Sequence, residues 1–432
     1  MDMTLKLTIF LLLIAVAVPT QAQRALPELR DGTILDGTIL DETVMGKKGN
    51  EGRSEYRHDG PLRIEGRVKL KGISLDLRGA VTVATGATFE LEDVKLKVSD
   101  PPHSPNGTSG LHCEGPAKII IRRSSMVPEG SAHPMWGLQG QVTVDDFQTV
   151  NSEFHLDHAQ AKLDDLKIFE LEISKASQVV ANHLRLVFLS THTAEDERIE
   201  FSDIPADRPF TQKLRMGSQA VADLSDTTAQ LFLLYVHGKS DVGLNRIGRA
   251  QLAMAPDCRG KLTLPHGLVG TEKAPVVIPA AGDSDCPFRF RLVDVNADTW
   301  DVYAGGKADL TFKGSVIDEL TADGNAKIAV QDSQIYADWL SLGGDAELHV
   351  RNSTVGALRL AAARPDLATS QVRLNGKSNA TFDNVTFDCG VVASENSTLS
   401  IHDSVTTPQY IRRSNRAVIR LDPPLPIEDQ NE

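Results

Sequence analysis

Short runs of alternating apolar and polar residues recur about every twenty residues along this chain. Each copy starts with a small residue, has apolar residues at the second and fourth positions after it, and has an Asp or Asn at the sixth. The clearest copies start at Ala87, Ala159, Ala326 and Ala346. Alternation with a period of two is typical of a strand with one buried face. The interval is too short for a strand–helix–strand unit, so the pattern predicts an all-β chain made of one repeated unit.

A strand, a polar corner, a second short strand and a return to the same place describe one coil of a parallel β-helix. Weaker copies of the repeat start at Gly66, Ala117, Gly140, Ser177, Phe288, Ala308, Ser378 and Ser397. Stacked strands lie roughly 4.8 Å apart, and each coil of a solenoid packs only on its neighbours. We therefore expect a single-stranded parallel β-helix of about 12 to 15 coils, with apolar columns along its axis.

The sixth position of the repeat forms a column of short polar side chains. Its members are Asp93, Asp146, Asp165, Asp294, Asp332, Asn352, Asn384 and Asp403, with Gly72, Arg123, His183 and Gly314 as departures. Asp and Asn tolerate a tight bend and hydrogen-bond to nearby backbone groups. The column therefore predicts a polar corner in each coil, with several of these side chains facing solvent.

This repeat and its polar corner column resemble the right-handed parallel β-helix superfamily, which includes pectate lyases, polygalacturonases and many exported bacterial proteins of unknown role. The resemblance is architectural and covers roughly Gly60 to Asp422, most securely Gly66 to Leu186 and Phe288 to Val405. It implies a right-handed coil. A left-handed β-helix fits worse, because its strict six-residue apolar repeat is missing. The family's catalytic residues do not map onto any position of this chain.

The chain divides into four segments by composition. They are a signal peptide at 1–22, an N-terminal cap or first coil at 23–59, the β-helix at 60–422, and a flexible Pro-rich acidic tail at 423–432. The apolar run from Leu7 to Val18 is too short for a membrane-spanning helix, which needs roughly 20 residues. We expect a secreted, periplasmic or cell-envelope protein with no membrane span after signal cleavage.

The register is hard to follow at 187–287. Apolar runs there still predict strands, and we expect coils with long loops, including Thr193 to Lys213 and the excursion between Cys258 and Cys286. In an oxidising compartment a disulfide between these two cysteines would restrain that excursion. The alternative is that all four cysteines, with Cys113 and Cys389, are packed as free thiols.

Charge and composition exclude one class of partner. The formal net charge is -13 and the sequence pI is near 5.4. Nucleic-acid binding that is independent of sequence requires Lys and Arg to neutralise phosphates, so we expect no nucleic-acid partner. A polysaccharide or a component of the cell envelope is the expected partner class.

Candidate chemistry lies on the outward face of the strands near the second clear copy. If Phe154, Leu156, Leu171 and Ile173 point inward, then Glu153, His155, Asp157, Glu170 and Glu172 point outward on adjacent coils. Such carboxylates bind Ca²⁺ through oxygen ligands or divide into acid and base roles. The competing interpretation is the solvated face of an acidic protein. We predict no zinc or copper site, because His155 and His158 project to opposite faces of a strand.

Aromatic side chains, which stack on sugar rings, are only 5% of the chain. Trp339 is the best placed of them, since it faces outward if Leu340 and Leu342 face the core; the alternative is that it covers a coil edge. The preferred hypothesis is an exported non-catalytic β-helix that presents a rigid surface for binding, adhesion or envelope scaffolding. The alternative is a polysaccharide lyase or glycoside hydrolase that acts on an acidic or neutral polysaccharide.

Overall fold

A computed structural model describes residues 24–29, 31–36, 54–99, 110–129, 134–356, 371–404 and 408–429, with the side chains of 337–339 left out. Every regular element in these ranges is a strand, and the prediction of an all-β chain is confirmed. The predicted signal peptide lies outside the described residues.

The strands follow one another at short intervals. The first part of the chain contains β1 (Arg24–Ala25), β2 (Thr33–Asp36), β3 (Ser54–Asp59), β4 (Leu62–Ile64), β5 (Arg67–Lys71), β6 (Ile73–Arg78), β7 (Val81–Val83), β8 (Thr88–Glu92), β9 (Lys95–Ser99), β10 (Gly110–Cys113), β11 (Ala117–Glu129), β12 (Met135–Thr149), β13 (Glu153–Ser174) and β14 (Gln178–Asn182). The middle contains β15 (Arg185–His192), β16 (Arg198–Ile204), β17 (Phe210–Arg215), β18 (Val221–Val236), β19 (Asp241–Met254), β20 (Arg259–Leu262), β21 (Gly267–Val269) and β22 (Val276–Ile278).

The last part contains β23 (Arg289–Ala304), β24 (Asp309–Lys313), β25 (Val316–Ala322), β26 (Lys327–Gln331), β27 (Gln334–Leu342), β28 (Glu347–Arg351), β29 (Thr354–Gly356), β30 (Gln371–Leu374), β31 (Asn379–Asp383), β32 (Thr386–Asp388), β33 (Gly390–Ala393), β34 (Thr398–His402), β35 (Ile411–Arg413), β36 (Val418–Asp422) and β37 (Glu428–Asp429).

Strands one repeat apart pair in parallel, so equivalent residues stack into columns. One buried column follows the register Leu70, Leu91, Ile121, Val144, Leu163, Ala181 and Leu224. A second follows Leu262, Phe312, Val330, Val350, Phe382 and Ile401. Because side chains alternate across a strand, every second residue enters these columns and the residues between face outward. The core is thus a set of apolar columns inside the stacked strands.

Tight corners occur where the sequence predicts them. All twelve predicted corner positions have a φ angle between +46° and +65°, including Arg123 and His183 as well as the Asp, Asn and Gly residues. This left-handed region favours Gly, Asn and Asp, which explains why they dominate the column. Corner side chains also bond from layer to layer: Asn384 Nδ2 donates to Asn352 Oδ1 at 3.0 Å.

The middle of the chain differs from the prediction of long loops. The predicted loop from Thr193 to Lys213 contains β16, which pairs in parallel with β19, and β17, which pairs antiparallel with β18. The prediction of a loop is therefore wrong for this segment. The inserted antiparallel strand lengthens the repeat here, so the twenty-residue interval no longer marks where strands occur, although the residues still form strands. The excursion after Cys258 likewise contains β20, β21 and β22, and a disulfide joins Cys258 to Cys286.

Both ends of the described chain are tied to the stack. Near the start, β2 pairs in parallel with β5, and Asp31 Oδ1 accepts the backbone N–H of Arg67 at 2.7 Å. At the other end β37 pairs with β35. Glu428 and Asp429 lie in the segment predicted to be a flexible Pro-rich acidic tail, and they follow the last proline, so their backbone N–H groups are free to join this sheet.

Candidate functional site

The outward face of β13 carries the predicted acidic residues. Phe154, Leu156, Leu171 and Ile173 are each fully buried, so they point inward as expected. The alternating residues Glu153, His155, Glu170 and Glu172 therefore lie on the opposite, outward face. These four side chains remain partly exposed, so a ligand can reach them.

His155 joins the carboxylates of two adjacent layers. Its Nε2 lies 3.0 Å from Glu153 Oε2, and its Nδ1 lies 3.2 Å from Glu172 Oε2. Glu153 and His155 lie near the start of β13, whereas Glu172 lies near its end, where the chain has returned one layer later. The imidazole therefore bridges the two carboxylates across the stack.

Two further histidines extend this contact chain. His192 on β15 places Nε2 3.6 Å from Glu172 Oε2, and its Nδ1 lies 3.0 Å from Nε2 of His237. The ring of Tyr235 stacks on His192 with centroids 4.3 Å apart and planes 9° apart. We call Glu153, His155, Glu170, Glu172, His192 and His237 the histidine–carboxylate cluster.

Glu170 differs from its neighbours in charge state. Burial raises the pKa of its carboxyl to about 7, and the nearby charge of Glu153 adds to the shift. Ser190 Oγ donates a hydrogen bond to Glu170 Oε1 at 2.6 Å. The Glu170 carboxyl is therefore protonated at acidic pH and loses its proton as the pH rises through about 7.

Glu172 shifts in the opposite direction, although it is only two residues away. Burial alone would raise the pKa of Glu172, but the close approach of His192 and the positive charge of His155 outweigh it and hold that pKa below its ordinary value. The same contacts act on His155. Burial would lower the pKa of His155, but the hydrogen bond to Glu153 and the charge of Glu172 raise it. Below about pH 7 the cluster thus contains one protonated carboxyl, Glu170, beside one ionised carboxyl, Glu172.

Asp157 lies apart from these contacts. Its Oδ1 accepts a hydrogen bond from Ser174 at 2.9 Å, and Lys175 Nζ lies 2.6 Å from its Oδ2. Lys175 is well exposed, so this ion pair is typical of a solvated face. Of the five predicted residues, the structure brings together Glu153, His155, Glu170 and Glu172 and assigns Asp157 to a neighbouring ion pair.

Sequence reasoning missed His192, Tyr235 and His237. The available signal was the alternation along Arg185–His192. It places His192 on the same strand face as Ser190, and Ser190 pairs with Glu172 of the preceding repeat. Tyr235 pairs with His192 across β15 and β18. That pairing spans the inserted strands β16 and β17, which the local repeat does not predict.

The remaining predicted residues lie elsewhere. Trp339 pairs through its backbone with Glu319, and its side chain is outside the described residues. Cys113 and Cys389 are buried free thiols, and burial raises the pKa of each. Among the described residues, no group of three or more His, Cys, Asp and Glu side chains is arranged to hold a metal ion.

The described residues include no helix with the length and apolarity that a membrane crossing requires. Comparison of the whole chain with family models, curated proteins and solved structures finds no match.

Proposed function

We propose that this protein is an exported right-handed parallel β-helix that cleaves a polysaccharide at the histidine–carboxylate cluster. The parallel pairing of strands one repeat apart supports a coil of about 12 to 15 turns, as do the left-handed corners at every predicted position. The observation that carries the function is the placement of Glu170 and Glu172 on one outward strand face, where Ser190 donates to Glu170, His155 contacts Glu172, and the pKa values of the two carboxyls shift in opposite directions.

Hydrolysis of a glycosidic bond requires two carboxyl groups in different protonation states. One donates a proton to the leaving oxygen while the other, ionised, attacks the sugar or activates water. Glu170 supplies the proton in this assignment, and Glu172 deprotonates the attacking water.

The surrounding residues support these roles by their charge. His155 and His192 keep Glu172 ionised by hydrogen bonding and positive charge. The burial of Glu170 and the charge of Glu153 keep the proton on Glu170. Two neighbouring carboxyls whose environments push their pKa values apart are the general signature of an acid and base pair.

The test is release of reducing ends from a panel of neutral, amino-sugar and uronate polysaccharides. We expect Glu170→Gln and Glu172→Gln each to lower kcat at least about 100-fold, because each removes one of the two groups. Glu347→Gln is the matched control, since Glu347 lies on an outward strand face and pairs with Lys327 at 3.2 Å; its kcat should stay within about twofold.

The pH profile adds a second readout. Activity should be highest at mildly acidic pH and fall as the pH rises through about 7, where Glu170 loses its proton. The assay is run with and without added Ca²⁺, because outward carboxylates are also able to bind Ca²⁺ through oxygen ligands, although the sequence predicts no cofactor. Wild-type activity on the panel that survives in both Gln variants would falsify the assignment.

A non-catalytic binding surface is the second candidate. Both nitrogens of His155 and the carboxyls of Glu153 and Glu172 already bond to one another, which is also how a purely structural polar network is satisfied. Retention of a polysaccharide on immobilised protein, together with no release of reducing ends from any member of the panel, would establish this function in place of hydrolysis.

A further inference from the structure

A second acidic group lies on the same outward face, a few layers from the histidine–carboxylate cluster. It consists of Gln251, Thr299, Asp301, Tyr303 and Glu319, which we call the Asp301 cluster. Asp301 lies between Trp300 and Val302, which are fully buried and point inward, so its carboxyl belongs to the outward face. Gln251 Nε2 donates to Asp301 Oδ2 at 2.6 Å, and the Tyr303 hydroxyl donates to Glu319 Oε2 at 2.7 Å.

The Asp301 carboxyl is only half satisfied. Asp301 is 2% exposed, yet its Oδ1 has no hydrogen-bond partner among the described residues. The hydroxyl of Thr299, which is equally buried, also lacks a partner in this part of the chain. An unpaired buried polar atom costs roughly 1–3 kcal/mol, and such atoms in a native protein call for an explanation such as an absent ligand.

The two clusters belong to one continuous band. Residues of one outward column pair in the order His192, Tyr235, Ala253, Asp301 and Glu319. Tyr235 therefore lies between the clusters, with the small side chain of Ala253 separating it from Asp301. At roughly 4.8 Å per layer, the column from His192 to Glu319 is about 19 Å long, the length of several sugar residues, and its middle members Ala253 and Asp301 are buried.

Acidic side chains outnumber basic ones in the part of this band that the structure describes. The acids are Glu153, Glu170, Glu172, Asp301 and Glu319, and the basic side chains are the imidazoles of His155, His192 and His237. Burial raises the pKa of Tyr235, and the charges of Glu170 and Asp301 raise it further, so the field of both clusters reaches this side chain. This excess of acids favours a cationic ligand over a uronate polymer.

We propose that the Asp301 cluster is a sugar-binding subsite that holds a free amino group, and that the substrate is a polymer of amino sugars whose amines are not acetylated. An ammonium group that enters beside Glu319 donates to Asp301 Oδ1 after a small rotation of that carboxyl, a soft torsion. Burial raises the pKa of both Asp301 and Glu319, and a bound ammonium would favour the ionised form of each carboxyl. This inference rests on the proposed function and names the substrate class of the same site.

The experiment compares one polymer before and after chemical N-acetylation. A de-N-acetylated glucosamine polymer should bind to the whole protein at least about tenfold more tightly than the same polymer after acetylation, and the difference should shrink as salt is raised. Polygalacturonate and a neutral glucan of similar length serve as anionic and uncharged comparisons. Equal binding of the free and acetylated polymers would overturn the inference.

The matched variants are Asp301→Asn and Glu319→Gln, with Asp332→Asn as control. Asp332 is an exposed corner residue in a column where Asn is native at Asn352, so its substitution removes one carboxylate without altering the fold. The first two should weaken binding of the free-amine polymer about tenfold and leave binding of the acetylated polymer unchanged, whereas Asp332→Asn should change neither. Equal loss on both polymers in Asp301→Asn and Glu319→Gln counts against an amine subsite.

Binding and cleavage separate the two proposals. Cleavage that is lost in Glu170→Gln but shows no preference for free amines leaves the proposed function standing and rejects the inference. Preferential binding of the free-amine polymer without cleavage rejects hydrolysis and retains the subsite.

Discussion

At the residue scale, Glu170 and Glu172 show that position, not residue type, decides protonation. Both are glutamates on the outward face of one strand, but the pKa of one is raised and that of the other lowered. Glu170 is largely buried beside Glu153 and accepts a hydrogen bond from the Ser190 hydroxyl. Glu172 is instead contacted by the imidazoles of His155 and His192. The balance between desolvation and an opposite charge accounts for the sign of each shift.

Glu170 should make the folded protein less stable as the pH rises. Its pKa is raised from 4.5 to about 7, so the native state holds the proton more tightly than the unfolded chain. The resulting stabilisation is complete below about pH 4.5 and is lost as the pH rises through about 7. Glu170→Gln removes this dependence, which is worth up to about 3 kcal/mol.

Thermal unfolding from pH 4 to 8 measures this effect. The Tm of the wild type should fall relative to that of Glu170→Gln as the pH rises. Asp301 and Glu319 are present in both proteins, so their own titration cancels in the difference. Parallel curves for the two proteins would show that Glu170 has an ordinary pKa.

At the scale of the element, tight turns allow successive strands to stack closely. A column of glycines with positive φ, Gly306, Gly324, Gly344 and Gly376, follows the strands of the last third. A Cβ atom at Gly344 would lie 2.8 Å from the backbone nitrogen of Gly324 in the layer below. Both the φ angle and the close approach of the backbone therefore require glycine there.

Gly344→Ala should lower the free energy of unfolding by about 2 kcal/mol or more, because alanine is strained in the left-handed region and its Cβ meets the adjacent layer. Gly305→Ala is the control, since a Cβ there meets nothing within 4 Å; its effect should stay within about 0.5 kcal/mol. Calorimetry of the two variants measures the difference. Equal Tm values would mean that the layers move apart at little cost.

At the scale of the whole molecule, stability is expected to be local, because each layer pairs mainly with the layers next to it. The segment between Cys258 and Cys286 departs from this order, since β21 and β22 run antiparallel to β23. The disulfide closes this segment over a sequence separation of 28. A closed loop of that length is stabilised by about 3–4 kcal/mol in the chain-entropy model.

Reduction of the disulfide should loosen β20, β21 and β22 before the rest of the chain. Hydrogen exchange read by mass spectrometry should rise in this segment after treatment with a phosphine reductant, while protection in β5 to β13 is kept. The double variant Cys258→Ala and Cys286→Ala is the control, and the reductant should not change its exchange. A uniform rise along the chain would show that the stack unfolds as one unit.

The sequence by itself determined the all-β class, the corner positions and the side of the sheet on which Glu153, His155, Glu170 and Glu172 lie. These features follow from local physics. Side chains alternate with a period of two on any strand, and the left-handed corner selects Asp, Asn and Gly wherever the turn occurs. The same rules assign Phe154 and Leu171 to the core without knowledge of their neighbours.

Only the tertiary structure decided which side chains meet. His192 reaches Glu172 from the next layer, and Tyr235 reaches His192 across an inserted pair of strands whose length the repeat does not encode. Asp301 and Glu319 join the same band through pairings in the irregular middle of the chain. Burial and charge, which raise the pKa of Glu170 and lower that of Glu172, depend on those neighbours, so the protonation of the two carboxyls was fixed by the packing of layers and not by the local pattern.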